Sequence, residues 1–311
     1  MSASSLERRP PEAALRWAAA SVGAGTRIVR VRRLRNGSFH ANSAVDLLDG
    51  DGRLHRLVLR RWARPGWQQS DAEFDAHREA AILDLLAGSA VPVPELVAAD
   101  PDGAACNVPS LLITRLPGRP PRRPADLRSF LAQLAEALAA IHAVDGRARS
   151  LAPPYRRYYQ PHELSPPSWS RRERLWARAI EAVAGPEPDG VRCFIHRDYH
   201  PGNTLWRRGR LTGVVDWSYG SFGPASVDLG HMRWNLAVDY GLDVADEFLE
   251  RYRTLVAHAV DDHAYWDLVT VLDLVGDLDP SDPPPKEDLS RLEEHVARAL
   301  ASLPASPSTT G

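Results

Sequence analysis

The chain of 311 residues is long enough to bury one large or two smaller cores, and its 44% hydrophobic and 25% charged residues are typical of globular proteins. A formal net charge of −2 gives no overall attraction to nucleic acids or anionic membranes, and two cysteines are too few for a disulfide framework. The apolar stretches are too short or too interrupted to span a bilayer, and Arg16 breaks the N-terminal region that could resemble a signal peptide. We therefore expect a cytoplasmic monomer or homodimer, with neither nucleic acid nor a membrane as partner.

The first third of the chain has the sequence pattern of a β-sheet. Its apolar residues alternate or form short continuous runs, and Asp49-Gly50-Asp51-Gly52 is typical of a hairpin turn. Residues 72–88 instead have the apolar spacing of a helix and end in glycine. The sequence thus predicts a mainly antiparallel sheet with one helix. The predicted strands are 27–34, 42–48, 54–62, 91–100 and 110–116.

From Leu127 onward the pattern is mainly helical, interrupted by three short strand-like pieces. The proline- and arginine-rich segment 117–124 is typical of a linker. We therefore predict an N-terminal domain, 1–116, and a C-terminal domain, 117–311, with a disordered tail at 302–311. The predicted helices are 126–145, 168–185, several within 224–277, and 287–300, and the strand-like pieces are 191–195, 204–206 and 211–217.

A loop near the middle of the chain concentrates residue types that are used in catalysis. His196-Arg197-Asp198 is followed five residues later by Asn203, which is the H-R-D-x-x-x-x-N pattern of a phosphoryl-transfer loop. Phosphoryl transfer requires a carboxylate to orient the attacking hydroxyl and oxygen ligands to hold Mg²⁺ on the phosphates. Asp216, at the end of the next strand-like piece, has the position expected of a second metal ligand. The alternative is a surface loop whose polar residues only cap turns.

The segment HRDYHPGNTLW at 196–206, followed by VVDWSYGSFGPASVDLGH at 214–231, resembles the aminoglycoside phosphotransferase family, which includes choline kinase and homoserine kinase relatives. The family loop usually reads H-G-D-x-H-P-x-N, and Arg197 is the departure here. The resemblance is strongest over 190–235 and weaker over 27–145. It implies an α+β, protein-kinase-like two-lobe fold. In that fold a small antiparallel-sheet lobe with one helix binds the nucleotide, and a larger, mainly helical lobe carries the catalytic and substrate-binding residues.

Residue by residue, the resemblance makes Asp198 the catalytic base and makes Asn203 and Asp216 the Mg²⁺ ligands. His196 and His200 would shape the catalytic loop. Asp228 would support that loop from below. A helix N-terminal carboxylate, stabilised by the helix dipole, is a second reading of Asp228, and the two are compatible.

In the first third, the resemblance implies a cation that grips the phosphates and a helical glutamate that holds this cation. The matching residues are Arg60 and Glu79. The family usually has lysine at the first position, but Lys286 is the only lysine of the chain. Arg61 is the competing candidate, on the opposite face of the strand, and Arg60 could also be a solvated charge.

The remaining nucleotide contacts are implied less specifically. The segment 36–42, with Gly37 and Ser38, would cover the phosphates, but one glycine is also typical of a plain turn. Arg115 and Leu116 lie in the segment 114–118 that would hold the nucleotide base through backbone groups. Such contacts do not distinguish ATP from GTP.

The charge distribution bears on the acceptor. Residues 1–64 contain thirteen arginines and five acidic residues, whereas residues 237–285 contain twelve acidic and two basic residues. This asymmetry suits a polyphosphate at the first region and a cationic acceptor at the second, although helices commonly carry such charges on solvated faces. The candidate substrate residues are Asp239, Trp266, Asp267, Asp273 and Asp277.

Together these patterns predict a kinase that uses ATP or GTP with Mg²⁺ to phosphorylate a hydroxyl of a small-molecule acceptor. A cationic acceptor, such as an aminoglycoside or another antibiotic, is the first hypothesis. The alternatives are a kinase of a choline-, homoserine- or amino-acid-like metabolite, and a non-catalytic nucleotide-binding member of the same fold. The sequence leaves open whether the biological role is resistance or metabolism.

Overall fold

The computed structural model describes residues 9–34, 40–66, 73, 75–144, 151–278 and 284–303. Within these ranges the chain forms two compact units. The first unit contains the residues up to Arg119 together with Leu205–Arg207 and Thr212–Gly220, and the second contains Pro120–Thr204, Arg208–Leu211 and the residues from Ser221 onward. Two later segments therefore belong with the first unit, which a single boundary in 117–124 does not capture.

The first unit is built on a five-stranded antiparallel sheet with the order β1-β2-β3-β5-β4. The strand β4 is shorter than the predicted 91–100, because Pro92 and Pro94 cannot donate to a strand ladder. The elements are α1 (Glu12–Val22), β1 (Arg27–Arg33), β2 (Ala41–Leu48), β3 (Leu54–Arg61), α2 (Ala76–Leu86), β4 (Leu96–Asp100) and β5 (Ser110–Thr114).

The described part of the first unit contains two helices, so the prediction of a single helix is corrected. Helix α1 buries Ala14, Leu15 and Ala18 against Leu47 and Leu59 of the sheet. These residues have helical spacing, and Pro11 directly before the helix is compatible with a helix start. The alanine-rich composition of this segment is similar to that of a signal peptide, a reading that Arg16 excludes. The burial of helix α1 depends on the sheet beneath it, which the local sequence does not reveal.

The turn between β2 and β3 forms as predicted. Asp49 Oδ1 accepts hydrogen bonds from the backbone N–H groups of Asp51 and Arg53, at 3.1 and 2.8 Å. Gly52 has φ 81°, a left-handed conformation that glycine adopts without steric cost. The turn sets the register of β3, in which Arg60 pairs with Asn42 of β2.

The second unit is mainly helical. Its strands β6 and β9 pair antiparallel. The strands β7 and β8, most of whose residues belong to the first unit, form a separate two-stranded sheet. In the described ranges no helix combines the length and apolar character needed to cross a membrane. The elements after Pro120 are α3 (Leu127–His142), α4 (Glu173–Ala184), β6 (Arg192–Ile195), β7 (Thr204–Arg207), β8 (Arg210–Val214), β9 (Ser221–Pro224), α5 (Ser226–Tyr240), α6 (Leu242–Leu255), α7 (His263–Asp277) and α8 (Lys286–Ser302).

Two details at the end of this unit differ from the sequence prediction. The strand β9 was not predicted, because its four residues include glycine and proline and it forms only by pairing with β6. Helix α8 extends to Ser302, so the first residue of the predicted tail is helical. The helix ends before Pro304, since a proline disfavours helical backbone in the residue before it. Residues 304–311 lie outside the described residues.

Helix α5 packs closely against α7 at Gly230. A Cβ atom at this position would lie 2.6 Å from the carbonyl oxygen of Trp266 and 2.9 Å from Thr270 Oγ1. The neighbouring atom is backbone and cannot move aside without shifting α7. Gly230 therefore allows α5 and α7 to approach closely, although a glycine inside a helix lowers its stability relative to alanine.

We predict that Gly230→Ala destabilises the protein, although alanine is the better helix former by about 1 kcal/mol. Overpacking against α7 should lower the free energy of unfolding by about 1–3 kcal/mol, as measured by urea denaturation. Ala177→Gly, at an exposed position of α4, reports the propensity difference alone. A Gly230→Ala variant more stable than the wild type would show that α5 and α7 are not in close contact.

Candidate active site

A buried ion pair joins β3 to α2 in the first unit. Arg60 Nε donates to Glu79 Oε2 at 2.8 Å, and both side chains are almost entirely inaccessible to solvent. Glu79 lies in the first turn of α2, which begins after the N-cap Asp75. The contact between Arg60 and Glu79 that the sequence predicts is therefore present.

The turn after β8 brings a second carboxylate to Arg60. Arg60 Nη2 donates to Asp216 Oδ1 at 2.5 Å and to Ser218 Oγ at 2.9 Å. Asp216 has φ 69°, a left-handed conformation that aspartate adopts more readily than most residues with a side chain. Ser218 Oγ lies 3.1 Å from both Asp216 Oδ1 and Glu79 Oε2, so a hydroxyl links the two carboxylates in this turn.

Burial and charge together set the ionisation of this group. Burial raises the pKa of Glu79, and the attraction of Arg60 offsets this effect only in part. Burial lowers the pKa of Arg60, but the charges of Asp216 and Glu79 outweigh burial and raise it above the usual value. Arg60 is therefore a fixed positive charge between two carboxyl groups.

Arg61, the competing candidate, points to the other face of the sheet. Its Nη2 donates to the carbonyl oxygen of Cys106 at 3.3 Å, and among the described residues it contacts no carboxylate. Burial lowers the pKa of Arg61. Of the two arginines, the one that contacts the predicted glutamate and the predicted metal ligand is Arg60.

Of the other predicted nucleotide contacts, two lie outside the described residues and two lie within the first unit. Gly37 and Ser38 lie outside the described residues. Arg115 Nη2 is 2.9 Å from Asp46 Oδ1, and the side chain of Leu116 packs so tightly against Gly213 that a Cβ there would lie 2.5 Å from Leu116 Cδ1. The segment 114–118 is thus anchored within the first unit.

In the second unit, the loop between β6 and β7 is held by α5. Asp228, fully buried in the first turn of α5, accepts from the backbone N–H of His196 at 2.8 Å and of Arg197 at 2.6 Å. Its Oδ2 also lies 3.1 Å from Nε2 of His142, whose Nδ1 lies 2.6 Å from the hydroxyl of Tyr252. One buried carboxylate thus binds the loop backbone directly.

The bonds to Asp228 fix an unusual backbone at Arg197. This residue has φ 71°, a conformation suited to the glycine that the family usually has. Its guanidinium lies 4.2 Å from the ring centroid of Tyr158 and 5.3 Å from that of Tyr155, and its Nη2 donates to the carbonyl oxygen of Arg156 at 2.6 Å. Stacking and hydrogen bonding of the side chain offset the strain of its backbone.

The carboxylate of Asp198 lies within this loop, and 30% of its side chain is exposed. Asn203 Nδ2 donates to the carbonyl oxygen and to Oδ2 of Asp198, at 3.0 and 2.8 Å. His231 Nε2 lies 3.1 Å from Oδ1, and His200 Nε2 lies 3.8 Å from it. The structure therefore brings Asp198, Asn203 and His200 together, as the loop pattern predicts.

The surroundings of Asp198 favour its charged form. Burial raises its pKa, but electrostatic interaction with His200, a hydrogen bond to His231 and the electrostatic effects of His231 and His196 outweigh burial and hold the pKa well below its usual range. Asp198 is ionised at neutral pH, so it can only accept hydrogen bonds.

Sequence reasoning missed two residues of these groups. His231 follows Asp228 by three residues, which puts both on one face of α5, and this spacing could have identified it. Ser218 follows Asp216 by two residues, but a serine in a turn carries no specific signal.

Two of the predicted substrate residues are enclosed by the protein itself, and this corrects their interpretation. Trp266 belongs to the core of the second unit and donates through Nε1 to Asp262 Oδ2 at 3.0 Å. Asp267 is 1% exposed and accepts from Arg233 Nε at 3.0 and 3.1 Å. Both side chains are therefore buried by packing within the second unit.

The other three acidic candidates remain predictions. Asp239 is exposed near the end of α5, and Asp273 is partly buried on α7. Asp277 is the last residue of α7, and its side chain lies outside the described part of the chain.

We predict that Asp267→Asn lowers the free energy of unfolding by about 3 kcal/mol, because Arg233 would lose a charged partner in a buried site. Asp239→Asn, at an exposed position of the same charge type, should change it by less than about 0.5 kcal/mol. Urea denaturation of the two variants measures the difference. Wild-type stability of Asp267→Asn, with a raised KM for an acceptor, would restore the substrate interpretation.

A family model described as the phosphotransferase enzyme family matches residues 31–261. A search of curated protein sequences gave no significant match. Solved structures of low sequence identity share the fold, and we describe three of them.

A thermostable mutant of aminoglycoside phosphotransferase APH(4)-Ia, in a ternary complex with ADP and hygromycin B, is 19% identical, with 90% of this chain and 96% of that chain covered and a TM-score of 0.61. Aminoglycoside-3'-phosphotransferase of type VIII is 22% identical, with coverages of 84% and 97% and a TM-score of 0.53. The macrolide 2'-phosphotransferase MphH from Brachybacterium faecium is 18% identical, with coverages of 89% and 93% and a TM-score of 0.55.

These similarities confirm the predicted α+β, protein-kinase-like fold. The family model matches more than half of the chain, and the matched range includes the loop from His196 to Asn203. The chain therefore belongs to the phosphotransferase enzyme family, and it is a phosphotransferase.

Proposed function

We propose that this phosphotransferase moves the γ-phosphoryl group of ATP or GTP to a hydroxyl group of a small-molecule acceptor. The observation that carries the proposal is the ionised, partly exposed carboxylate of Asp198, held by Asn203 within the pattern H-R-D-x-x-x-x-N. A carboxylate in this state can accept the hydrogen bond of an acceptor hydroxyl and then its proton, as the attacking oxygen bonds to phosphorus.

Asn203 and Asp216 are the proposed Mg²⁺ ligands. The amide nitrogen of Asn203 is bonded to Asp198, which leaves its amide oxygen available for a cation. Asp216 contributes a carboxylate that is 30% exposed. Amide and carboxylate oxygens are ligands that suit Mg²⁺, which commonly binds one or two protein side chains together with nucleotide phosphates. When bound, the ion would supply positive charge that stabilises the transferring phosphoryl group.

Arg60 is the proposed phosphate-binding cation. Its contact with Glu79 fixes the side chain, and its contacts with Asp216 and Ser218 keep the guanidinium beside a proposed metal ligand. The planar guanidinium of arginine can donate to two phosphate oxygens at once. The ammonium of lysine instead interacts with phosphate as a point charge. We propose that Arg60 serves here in place of the usual lysine.

An antibiotic acceptor of the aminoglycoside or macrolide type is the first class to test. The similar structures named above include enzymes described as acting on these antibiotics, and the acidic surplus of residues 237–285 suits a cationic acceptor.

The test is to incubate the protein with MgATP or MgGTP and a panel of aminoglycosides, macrolides and small hydroxylated amines. Mass spectrometry would then detect acceptors that have gained one phosphoryl group. Nucleotide binding without any phosphorylated acceptor would favour a non-catalytic role.

We predict that Asp198→Asn lowers kcat by about 10²–10⁴-fold, because the amide cannot accept the proton of the acceptor. The amide has nearly the shape of the carboxylate, so the melting temperature should stay close to that of the wild type. Asp261→Asn, at an exposed position, controls for the general effect of removing a carboxylate. Turnover of Asp198→Asn at the wild-type rate would contradict the assignment of the base.

A further prediction concerns Arg60. Arg60→Ala should raise the KM for the nucleotide and lower kcat, together reducing kcat/KM by roughly 100-fold, because the phosphates lose their positioning group. Arg60→Lys retains a cation beside Glu79 and should be partly active, well above the alanine variant. Steady-state kinetics with melting temperatures would separate these effects from unfolding. If Arg61→Ala, rather than Arg60→Ala, impaired nucleotide use, the assignment would move to the other face of β3.

A further inference from the structure

His231 contacts the carboxylate that we propose as the catalytic base. Its Nε2 lies 3.1 Å from Asp198 Oδ1, while Asn203 Nδ2 bonds to Oδ2 of the same carboxylate at 2.8 Å. Each carboxylate oxygen therefore has a donor from a different part of the second unit. Each oxygen also keeps acceptor capacity, since a carboxylate accepts about four hydrogen bonds in all.

The hydrogen-bond pattern distinguishes His231 from His200. The Nδ1 of His200 accepts from the backbone N–H of Gly202 at 3.2 Å, so its proton is on Nε2. That Nε2 lies 3.8 Å from Asp198 Oδ1, which is too far for a hydrogen bond. His200 therefore shapes the turn at Pro201–Asn203, and the imidazole that bonds to the carboxylate is that of His231. Because a carboxylate only accepts, the Nε2 of His231 carries the proton.

The location of His231 on α5 makes this contact rigid. Asp228, one turn earlier on the same helix, binds the backbone N–H groups of His196 and Arg197. The ring of His231 packs against the ring of Trp234, one turn later, with centroids 5.5 Å apart. Helix α5 therefore contacts both the backbone of the loop, through Asp228, and the carboxylate of Asp198, through His231.

We propose that His231 is a positioning residue that fixes the rotamer of Asp198 for phosphoryl transfer. This inference rests on the proposed function. In the reaction, the acceptor hydroxyl loses its proton to Asp198, the acceptor oxygen bonds to the γ-phosphorus, and the bond from that phosphorus to the oxygen of the leaving nucleoside diphosphate breaks. His231 neither gains nor loses a proton in this step. Its Nε2–H holds one oxygen of Asp198 so that a free acceptor position faces the hydroxyl.

The experiment compares variants that differ only in the donor. His231→Phe keeps a ring beside Trp234 and removes the N–H, and should lower kcat by about 10- to 100-fold with an unchanged nucleotide KM. His231→Gln can place an amide N–H near the position of Nε2 and should recover most of kcat. His162→Phe, at an exposed histidine, controls for the exchange of imidazole for phenyl. Melting temperatures should be similar throughout.

A wild-type kcat for His231→Phe would overturn the proposal, as would a His231→Gln variant that folds normally but is as slow as His231→Phe. If His231→Phe does not fold, His231→Gln and His231→Asn form the test pair, because the shorter Asn amide cannot reach Asp198 and should be the slower enzyme. A measurement without turnover is also available, since ¹⁵N NMR of the ring should show a proton on Nε2, and a ring protonated on Nδ1 alone would overturn the proposal. A wild-type protein that phosphorylates nothing in the panel would instead refute the proposed function.

Discussion

The buried carboxylate of Asp228 is the interaction on which the geometry of the second unit's site depends. A buried carboxylate is unfavourable unless hydrogen-bond donors surround it, and here two backbone N–H groups of the loop supply the bonds. To present both N–H groups to one carboxylate, the chain adopts a left-handed conformation at Arg197. The same turn brings Asp198 to Asn203 and His231. The left-handed backbone at Arg197 therefore helps to place the partly exposed carboxylate of Asp198.

In the first unit, the corresponding charged group is the buried guanidinium of Arg60. The chain has a single lysine, at position 286, and the cation that contacts Glu79 is the arginine Arg60. The larger guanidinium of Arg60 contacts Glu79, Asp216 and Ser218 simultaneously, which an ammonium would not do with the same geometry.

The sequence was most informative where chemistry depends on residues close together in the chain. The loop from His196 to Asn203 could be predicted because its spacing is local, and the sheet could be predicted from alternation and from the turn at Asp49–Gly52. Helix α1, the strand β9 and the burial of Asp267 depend on partners distant in the chain, which composition and periodicity do not identify. Acidic residues on a helix have the same pattern whether they face water or, like Asp267, neutralise a buried arginine. His231 was missed for a related reason, since its role depends on how α5 meets the loop.

The central claim is that this protein forms a phosphate ester on a hydroxyl of its acceptor. The most direct measurement is ³¹P NMR of the products formed from MgATP or MgGTP and an acceptor identified in the panel, with the nucleoside diphosphate quantified in the same sample. We expect a phosphate monoester resonance that grows in equal amount with the nucleoside diphosphate. Nucleoside diphosphate formed with only inorganic phosphate, or phosphorus bonded to nitrogen rather than oxygen, would contradict it.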